Sequence, residues 1–495
     1  MPKTPLILAI DQGTTSSRAF VFDPSATVVT TAQAEFPQRY PVEGWVEHDP
    51  EVIWATTLST ARQALGAAEA EGGEVVAIGV TNQRETTLVW DRQTGNPIYN
   101  AIVWQDRRTA DFCRKLEAEG AGETVRAHSG LLLDPYFSAT KIAWILDHVE
   151  GARSLAPTGR LAFGTVDSFL LWRLTGERLH ATDATNASRT SLYDIHQDAW
   201  CEDLCDLFGV PRVMLPEVHD CSADFGVTAT ALFGRPIPIL GVIGDQQAAG
   251  IGNCNFSAGD VKTTFGTGGF MLVNTASTPI RSRNKLLTTI AYRLDGRVAY
   301  ALEGSIFVAG AAVQWLRDGL KVIAAAAETE GLARGLASNG GVYLVPAFTG
   351  LGAPHWDPDA RGAIFGLTRA TGAAELARAA LEAVCYQTLD LFTAIDNDGV
   401  ALNAAKFDGG MAANDWMLQF LADILARPVE RPRNLETTAL GAAYMAGRGI
   451  GLYGDPPAFA ALCRTGARFE PTMPAATRDG LVAGWQEAVR KVVRA

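Results

Sequence analysis

The clearest alternation of apolar and polar positions lies near the start of the chain. Two apolar runs, Leu6-Ile7-Leu8-Ala9-Ile10 and Ala19-Phe20-Val21-Phe22, flank a short polar segment centred on Gly13. Both runs are rich in strand formers, so the pattern predicts a β-hairpin. Its turn, Asp11-Gln12-Gly13-Thr14-Thr15-Ser16-Ser17-Arg18, carries a carboxylate, a glycine, four consecutive hydroxyls and an arginine. Backbone N–H groups and hydroxyls at such a turn can surround phosphate oxygens, and Gly13 lets the backbone come close to a ligand. Asp11, at a strand end, suits a hard divalent cation, which prefers oxygen ligands.

The pattern then alternates between strands and helices. Pro50 to Ala70 has helical spacing, with Asp49 as N-cap and Pro50 at the first helical position. Glu74 to Val80 predicts a buried strand ending in the polar cluster Thr81-Asn82-Gln83-Arg84-Glu85, where open α/β sheets usually bind ligands. A helix is expected from Tyr136. The strand Pro236 to Ile243 runs into Gly244-Asp245-Gln246-Gln247, and Gly252 to Gly259 has the composition of a hinge. Beyond it, Asp260 to Val273 repeats the opening order of strand, Gly/Thr turn and apolar strand, with Phe265-Gly266-Thr267-Gly268 at the turn. Two such hairpins, one near the start of each half, predict related domains facing each other across a nucleotide. A long helix is expected from Glu375 to Ile395. Lys406 to Asp408 is a strand entering a Gly409-Gly410 turn, and the region after Leu452 reads as peripheral packing.

Length and composition agree. At 495 residues the chain exceeds what one core supports, and 47% hydrophobic with 19% charged residues is ordinary for a packed enzyme. A net charge of −12 excludes a broad nucleic-acid surface and an anionic-membrane surface, though not a nucleotide held in a cleft by backbone dipoles and a metal. No stretch is long enough to span a bilayer, so no membrane insertion is expected and the cytoplasm is the expected location. The seven cysteines are scattered and read as thiols rather than a disulfide framework. No P-loop or H-E-x-x-H is present. The one G-x-G-x-x-G, Gly449 to Gly454, follows a helix and marks a helix stop.

The two Gly/Thr hairpins resemble the paired phosphate hairpins of the actin, Hsp70 and sugar-kinase superfamily. Within it, Tyr136-x-Ser138-x-x-Lys141-Ile142-x-Trp144-Ile145-x-Asp147-His148 and Gly362-x-Ile364-x-Gly366-Leu367, running to Glu375-Leu376 and Glu382, resemble the two signatures of the FGGY carbohydrate kinases. The stretches 44–50, 81–87, 244–247 and 350–357 are similar to members of that family that phosphorylate glycerol. The resemblance implies an α/β chain of two ribonuclease-H-like, actin-like ATPase domains with a central cleft, 1–253 and 254–495. It implies a kinase converting glycerol to sn-glycerol 3-phosphate with ATP and Mg2+. By the same resemblance, Arg84, Glu85, Tyr136, Asp245 and Gln246 take the acceptor hydroxyls, with Trp104 and Phe270 flanking its carbons. Asp245 is the general base. Thr14, Thr15, Ser16, Arg18 and Thr267 contact phosphates, Gly310, Gln314, Gly410 and Asn414 line the nucleotide, and Asp11 acts through the metal. A homodimer or homotetramer is the expected assembly. The same chemistry on another small polyol or a ketose, and an actin- or Hsp70-like ATPase, are the alternatives. Ala229 to Arg235 keeps the arginine but lacks most glycines of the loop that answers to fructose 1,6-bisphosphate in bacterial relatives, which puts that regulation in doubt.

Overall fold

The computed structural model describes residues 3–493 except Pro358 and Arg464, so the outer ends of the two expected domains, 1 and 495, lie outside it. The opening hairpin is β1 (Thr4–Gln12) and β2 (Ser16–Phe22), followed by β3 (Val28–Glu35). Helix α1 (Pro50–Ala70) begins where Asp49 accepts from the Glu51 backbone N–H, as the sequence predicts. With β4 (Gly73–Asn82) and β5 (Ile239–Gly244) these strands form a five-stranded sheet in the order β5-β4-β1-β2-β3. β1 to β3 are antiparallel neighbours, whereas β4 and β5 run parallel to β1.

The second sheet repeats the plan. Helix α2 (Asp245–Gly252) leads through the hinge segment to β6 (Val261–Phe265), β7 (Gly269–Ala276), β8 (Leu287–Leu294) and β9 (Arg297–Ile306). After helix α3 (Ala373–Asn397) come β10 (Ala405–Asp408), helix α4 (Asp415–Leu425), β11 (Val429–Pro432), helix α5 (Thr437–Gly449), β12 (Thr465–Phe469) and helix α6 (Ala475–Arg490). The order is β8-β9-β7-β6-β10-β11-β12. β6, β7 and β9 are antiparallel neighbours and β10 is parallel to β6, so β6 stands where β1 does in the first sheet. The echo between hairpins is therefore an echo between whole sheets.

Burial follows the strand period. Leu6, Leu8 and Ile10 join the core beneath α1, while Ile7 and Ala9 join the core beneath α5. Helix α5 belongs to the second half of the chain yet covers the other face of the first sheet, against β1, β4, β5 and α2. Glycines make that approach possible. A Cβ on Gly79 would fall 2.1 Å from the Ala442 carbonyl oxygen, and one on Gly441 would fall 1.9 Å from that of Ala248.

The segment after Leu452 packs at the periphery as expected: β12 is the edge strand of the second sheet, and α6 is anchored by buried Trp485, stacked on Tyr386 with its indole N–H on Asp390. One expectation changes. Cys254 and Cys463 form a disulfide; their separation of 209 residues hides the pairing from spacing arguments, while the other five cysteines are free.

The tight contact between α2 and α5 makes a contrast with open helix surface. Gly66 on α1 has open space around a built Cβ, whereas Gly441 has none. Gly441→Ala is expected to lower stability by about 1–3 kcal/mol through overpacking, and Gly66→Ala to raise it by about 0.5–1 kcal/mol through helix propensity. Urea unfolding midpoints of the two variants against the parent check both signs.

Candidate active site

The first hairpin's turn is built on a fixed frame. The Gly13 N–H donates to the Ser16 carbonyl at 2.9 Å, and Gln38 Nε2 donates to the Thr14 carbonyl at 2.8 Å. His48 stands behind it. Its Nε2 is 2.5 Å from Gln38 Oε1 and its Nδ1 is 3.4 Å from Gln83 Nε2. Gln83 Nε2 also donates to Gln12 Oε1 at 3.0 Å and to the Gly13 carbonyl at 3.1 Å. This arrangement requires neutral imidazole with the proton on Nε2, a tautomer assigned from the hydrogen-bond network. Thr15 is exposed, and Ser16 and Thr14 are half-buried at the tip.

Asp11 is buried at the end of β1, and Arg18 Nη2 lies 2.5 Å from its Oδ2. Arg18 Nη1 reaches Glu436 at 2.8 Å, just before α5. Asp11 raises the Arg18 pKa, so the guanidinium is a fixed cation. Among the described residues, the one cluster of three potential ligands from His, Cys, Asp and Glu is His128, Asp194 and Cys201, which does not include Asp11. Asp11 offers its own carboxylate, with Asp245 near enough for the two charges to interact. That fits Mg2+, which commonly binds through one or two carboxylates, phosphate oxygens and water.

Residues expected to meet the acceptor come together at the ends of β4 and β5. Arg84 is buried and its Nε is 3.2 Å from Asp245 Oδ1; the Gln246 N–H donates to the same oxygen at 2.6 Å. The Asp245 side chain keeps 28% of its surface exposed, so it borders the cleft. Burial raises its pKa, while Arg84 and Lys262 oppose the rise. Glu85 follows with a left-handed backbone, φ +60°, a conformation usual for glycine rather than glutamate. Its carbonyl accepts from Ser138 Oγ at 2.9 Å, which ties it to the first FGGY-like signature. In that signature Lys141 Nζ donates to the Tyr136 carbonyl at 2.6 Å, fixing the backbone of a predicted site residue.

Three aromatic rings form the apolar wall. Trp104 meets Tyr136 edge-to-face at 5.6 Å and Phe270 at 5.9 Å. The Trp104 indole N–H donates to Thr14 Oγ1 at 2.9 Å. The wall is thereby tied to the tip of the phosphate hairpin.

The second hairpin's turn contacts the start of the helix Gly310–Gln314. Ala309 and Ala311 N–H groups donate to the Thr267 carbonyl at 2.9 and 3.1 Å, and the Gly310 N–H to Gly266 at 2.9 Å. A Cβ on Gly310 would lie 2.5 Å from the Gly266 carbonyl oxygen, and one on Gly409, at φ +85°, 2.4 Å from that of Phe265. These backbone approaches form the floor on which Gly410 lies exposed. Asn414 Oδ1 caps α4 by accepting from the Met417 N–H at 2.9 Å. Gln314 is exposed one turn beyond Gly310. A separate cavity of about 380 Å3, lined by His355, Asp390 and Arg478 among others, contains none of the predicted residues.

Three buried charged residues in this site escape the sequence reading. Arg189 donates through Nε to Glu85 Oε1 at 2.6 Å and through Nη2 to Glu303 Oε1 at 2.8 Å. Glu303 on β9 also takes Arg84 Nη1 at 2.6 Å. Burial works against the charge on Glu303, yet Arg189 and Arg84 hold its pKa below the usual range. Lys262 on β6 places Nζ 2.5 Å from Gln246 Oε1 and 3.1 Å from Thr264 Oγ1, and burial lowers its pKa to about 8. For Glu303 the available signal was a charge inside the apolar run of β9, which a buried strand tolerates only with a partner.

His48 gives the site a stated pH dependence. Burial lowers its pKa to about 4, whereas an unfolded histidine titrates near 6.5. Below about 6.5 the unfolded chain binds a proton that the native state refuses, so the contribution present at neutral pH is lost as the pH falls towards 4. Between pH 7 and pH 5 His48 should account for about 2 kcal/mol of lost stability. Urea unfolding of His48→Gln at both pH values should show a correspondingly smaller loss than the parent. Equal losses would contradict the neutral-histidine frame.

Comparison with known proteins follows the same geometry. Residues 6–252 match the N-terminal domain of the FGGY family of carbohydrate kinases, and residues 261–450 match its C-terminal domain. A protein named glycerol kinase from Rhodospirillum centenum is 66% identical over 491 residues, covering 99% of each chain. Another of that name from Methylobacterium nodulans is 61% identical over 491 residues, covering 98% of each. The crystal structure of Plasmodium falciparum glycerol kinase with ADP superposes with a TM-score of 0.94 at 34% identity, covering 100% of this chain and 99% of that one. A ligand-bound xylulose kinase from Lactobacillus acidophilus gives a TM-score of 0.88 at 21% identity over 98% of both chains, a likeness of fold. With both sheets, both phosphate-type hairpins and both family domains present in one chain, the protein belongs to the FGGY family of carbohydrate kinases.

Proposed function

We propose that this protein transfers the γ-phosphoryl group of ATP to glycerol, giving sn-glycerol 3-phosphate and ADP. The observation that carries the reading is the coupling of the aromatic wall to the phosphate hairpin through the hydrogen bond from Trp104 to Thr14, beside the Arg84–Asp245 pair. Relatives 66% and 61% identical bear the same name, and the superposing crystal structure holds ADP.

The chemistry follows from the donors and acceptors present. Glycerol has three hydroxyls and a short hydrocarbon spine. Arg84 donates, Glu85 accepts, and the Trp104, Tyr136 and Phe270 rings enclose the C–H face. Buried partners of this kind reject a ligand that lacks one hydroxyl, because they would stay unpaired. Asp245 has Oδ1 oriented by two N–H donors, so its carboxylate points in a fixed direction. Its raised pKa makes it a better proton acceptor than an exposed aspartate. As the terminal hydroxyl oxygen of glycerol bonds to the γ-phosphorus, its proton passes to Asp245 and the bond from the γ-phosphorus to the β,γ-bridging oxygen of ATP breaks. Arg18 and the N–H groups and hydroxyls of the first turn, with Thr267 from the second, receive the phosphates; Gly310, Gln314, Gly410 and Asn414 line the adenosine. Mg2+, held through Asp11, would offset charge on the phosphate oxygens.

The domains are assigned as 1–253 and 254–495, with α5 crossing to brace the first. Among the described residues no helix is long and apolar enough to cross a membrane. We assign the enzyme to the cytoplasm, where ATP is supplied, and expect a homodimer or homotetramer, which sedimentation would read.

ADP release should be fast with glycerol and at least tenfold lower in kcat/KM with erythritol, dihydroxyacetone or xylulose. Equal turnover of a longer acceptor would move the assignment to that substrate. Asp245→Asn should lower kcat by about 10²–10⁴ with a smaller change in glycerol KM; near-parent turnover would rule out the general-base role. Chelation by EDTA should abolish turnover and added Mg2+ should restore it, and activity unaffected by chelation would remove the metal from the scheme.

A further inference from the structure

Glu303 belongs to β9 of the second sheet, yet its fully buried carboxylate lies among side chains of the first domain. Oε2 accepts from Arg84 Nη1 at 2.6 Å, and Oε1 accepts from Arg189 Nη2 at 2.8 Å and from Arg84 Nη2 at 3.3 Å. Arg189, also fully buried, follows the short helix Ala184–Ala187 and turns its Nε to Glu85 Oε1 at 2.6 Å. Arg84 and Glu85, two of the three charged residues assigned to the acceptor hydroxyls, are thus each held from behind. Glu303 holds Arg84, Arg189 holds Glu85, and the two holders are paired with each other.

We propose that Glu303 and Arg189 are positioning residues for phosphoryl transfer, forming a bridge from the second sheet that sets the angle at which Arg84, Glu85 and Asp245 meet the acceptor. The inference rests on the function proposed above.

Competition for Arg84 is the reason. Its guanidinium has two carboxylate neighbours outside Glu85, Glu303 at 2.6 Å and Asp245 at 3.2 Å. The shorter contact to Glu303 anchors the far end of the fork and limits how closely Nε can engage Asp245. Without that anchor the guanidinium can rotate onto Asp245 and occupy the oxygens needed for the substrate proton. Arg189 must be arginine for a related reason. A planar fork reaches two carboxylates at once in fixed directions, whereas an ammonium is a single point. Stability alone does not explain the cluster, since a well-packed apolar replacement of a buried ion network is often neutral or stabilising. The surroundings also support a fixed bridge. Gln247 Nε2 donates to the Ile290 carbonyl of β8 at 3.1 Å, and Tyr300 of β9 donates to the Ile195 carbonyl at 2.8 Å, so this edge of the second sheet is seated in the first domain.

The test uses the full-length enzyme and three variants, Glu303→Gln, Glu303→Asp and Arg189→Lys, each checked for cooperative unfolding. The expected result for Glu303→Gln and Arg189→Lys is a glycerol KM raised at least tenfold and a lower kcat, with the ATP KM within twofold of the parent. Glu303→Asp, which keeps the charge, should recover part of the glycerol KM. A merely structural cluster would reduce the fraction of active enzyme and leave both KM values unchanged. That pattern, or a parent-like glycerol KM in folded variants, overturns the proposal. Failure of all three to fold overturns it as well, because the cluster would then serve folding rather than positioning. A parent that does not phosphorylate glycerol overturns the proposed function instead.

Discussion

The buried ring of Arg84, Glu303, Arg189 and Glu85 is the constraint on which the acceptor side of the molecule depends. Four charges are taken out of water there, two from each sign, and none has access to bulk solvent. Removing one partner of such a set leaves an uncompensated buried charge and costs about 3–5 kcal/mol. The chain meets that demand by bringing the end of β4, from one sheet, against Glu303 within β9 of the other. The geometry of the seating edge follows from it. β8 and β9 lie at the far edge of the second sheet, and it is this edge that enters the first domain. Helix α5 makes the reciprocal crossing, covering the first sheet from the second half of the chain. Each domain is completed by the other, so the cleft is walled by both.

The division of labour between the two hairpins follows from their residues. The first turn presents hydroxyls and Arg18, whose charge is fixed by Asp11 and Glu436. The second presents mostly backbone: Gly266, Thr267 and Gly268, pressed against Gly310 and Gly409. In the function proposed here both turns face phosphate oxygens, the first mainly through a cation and hydroxyls and the second mainly through Thr267 and backbone. The Trp104 indole N–H, bonded to Thr14 Oγ1, then ties the aromatic wall to the first turn.

Much of this was legible in the chain. The hairpins could be read because runs rich in strand formers flank short Gly-containing turns, and their repetition pointed to two related sheets. Arg84 and Glu85 were visible as a polar cluster closing an apolar strand, and Asp245 as the residue after another. Arg189 was not, because it sits in a polar stretch with no strand to mark its direction. Glu303 was a charge within an apolar strand run whose partners, Arg84 and Arg189, come from the first half of the chain, and Lys262 stood among threonines with Gln246 and Thr264 as its partners. Single-sequence spacing reports local period; it does not report which strand end meets which. The same reason hid the Cys254–Cys463 pairing and the burial of Trp485.

The neutral frame behind the first turn shows why polar residues there are amides and imidazole rather than ions. His48, Gln38, Gln83 and Gln12 hold the Gly13 and Thr14 carbonyls without adding charge behind the turn. A lysine in that layer would attract phosphate from the wrong side of the backbone, and a carboxylate would repel it. Charge is kept to the side that faces the cleft, at Asp11, Arg18 and Asp245, where it can act on the reacting groups. Burial enforces the arrangement, since it holds His48 neutral well below the pH at which a free histidine would ionise. The frame therefore fixes the shape of the turn and leaves its electrostatics to the residues that face the ligand.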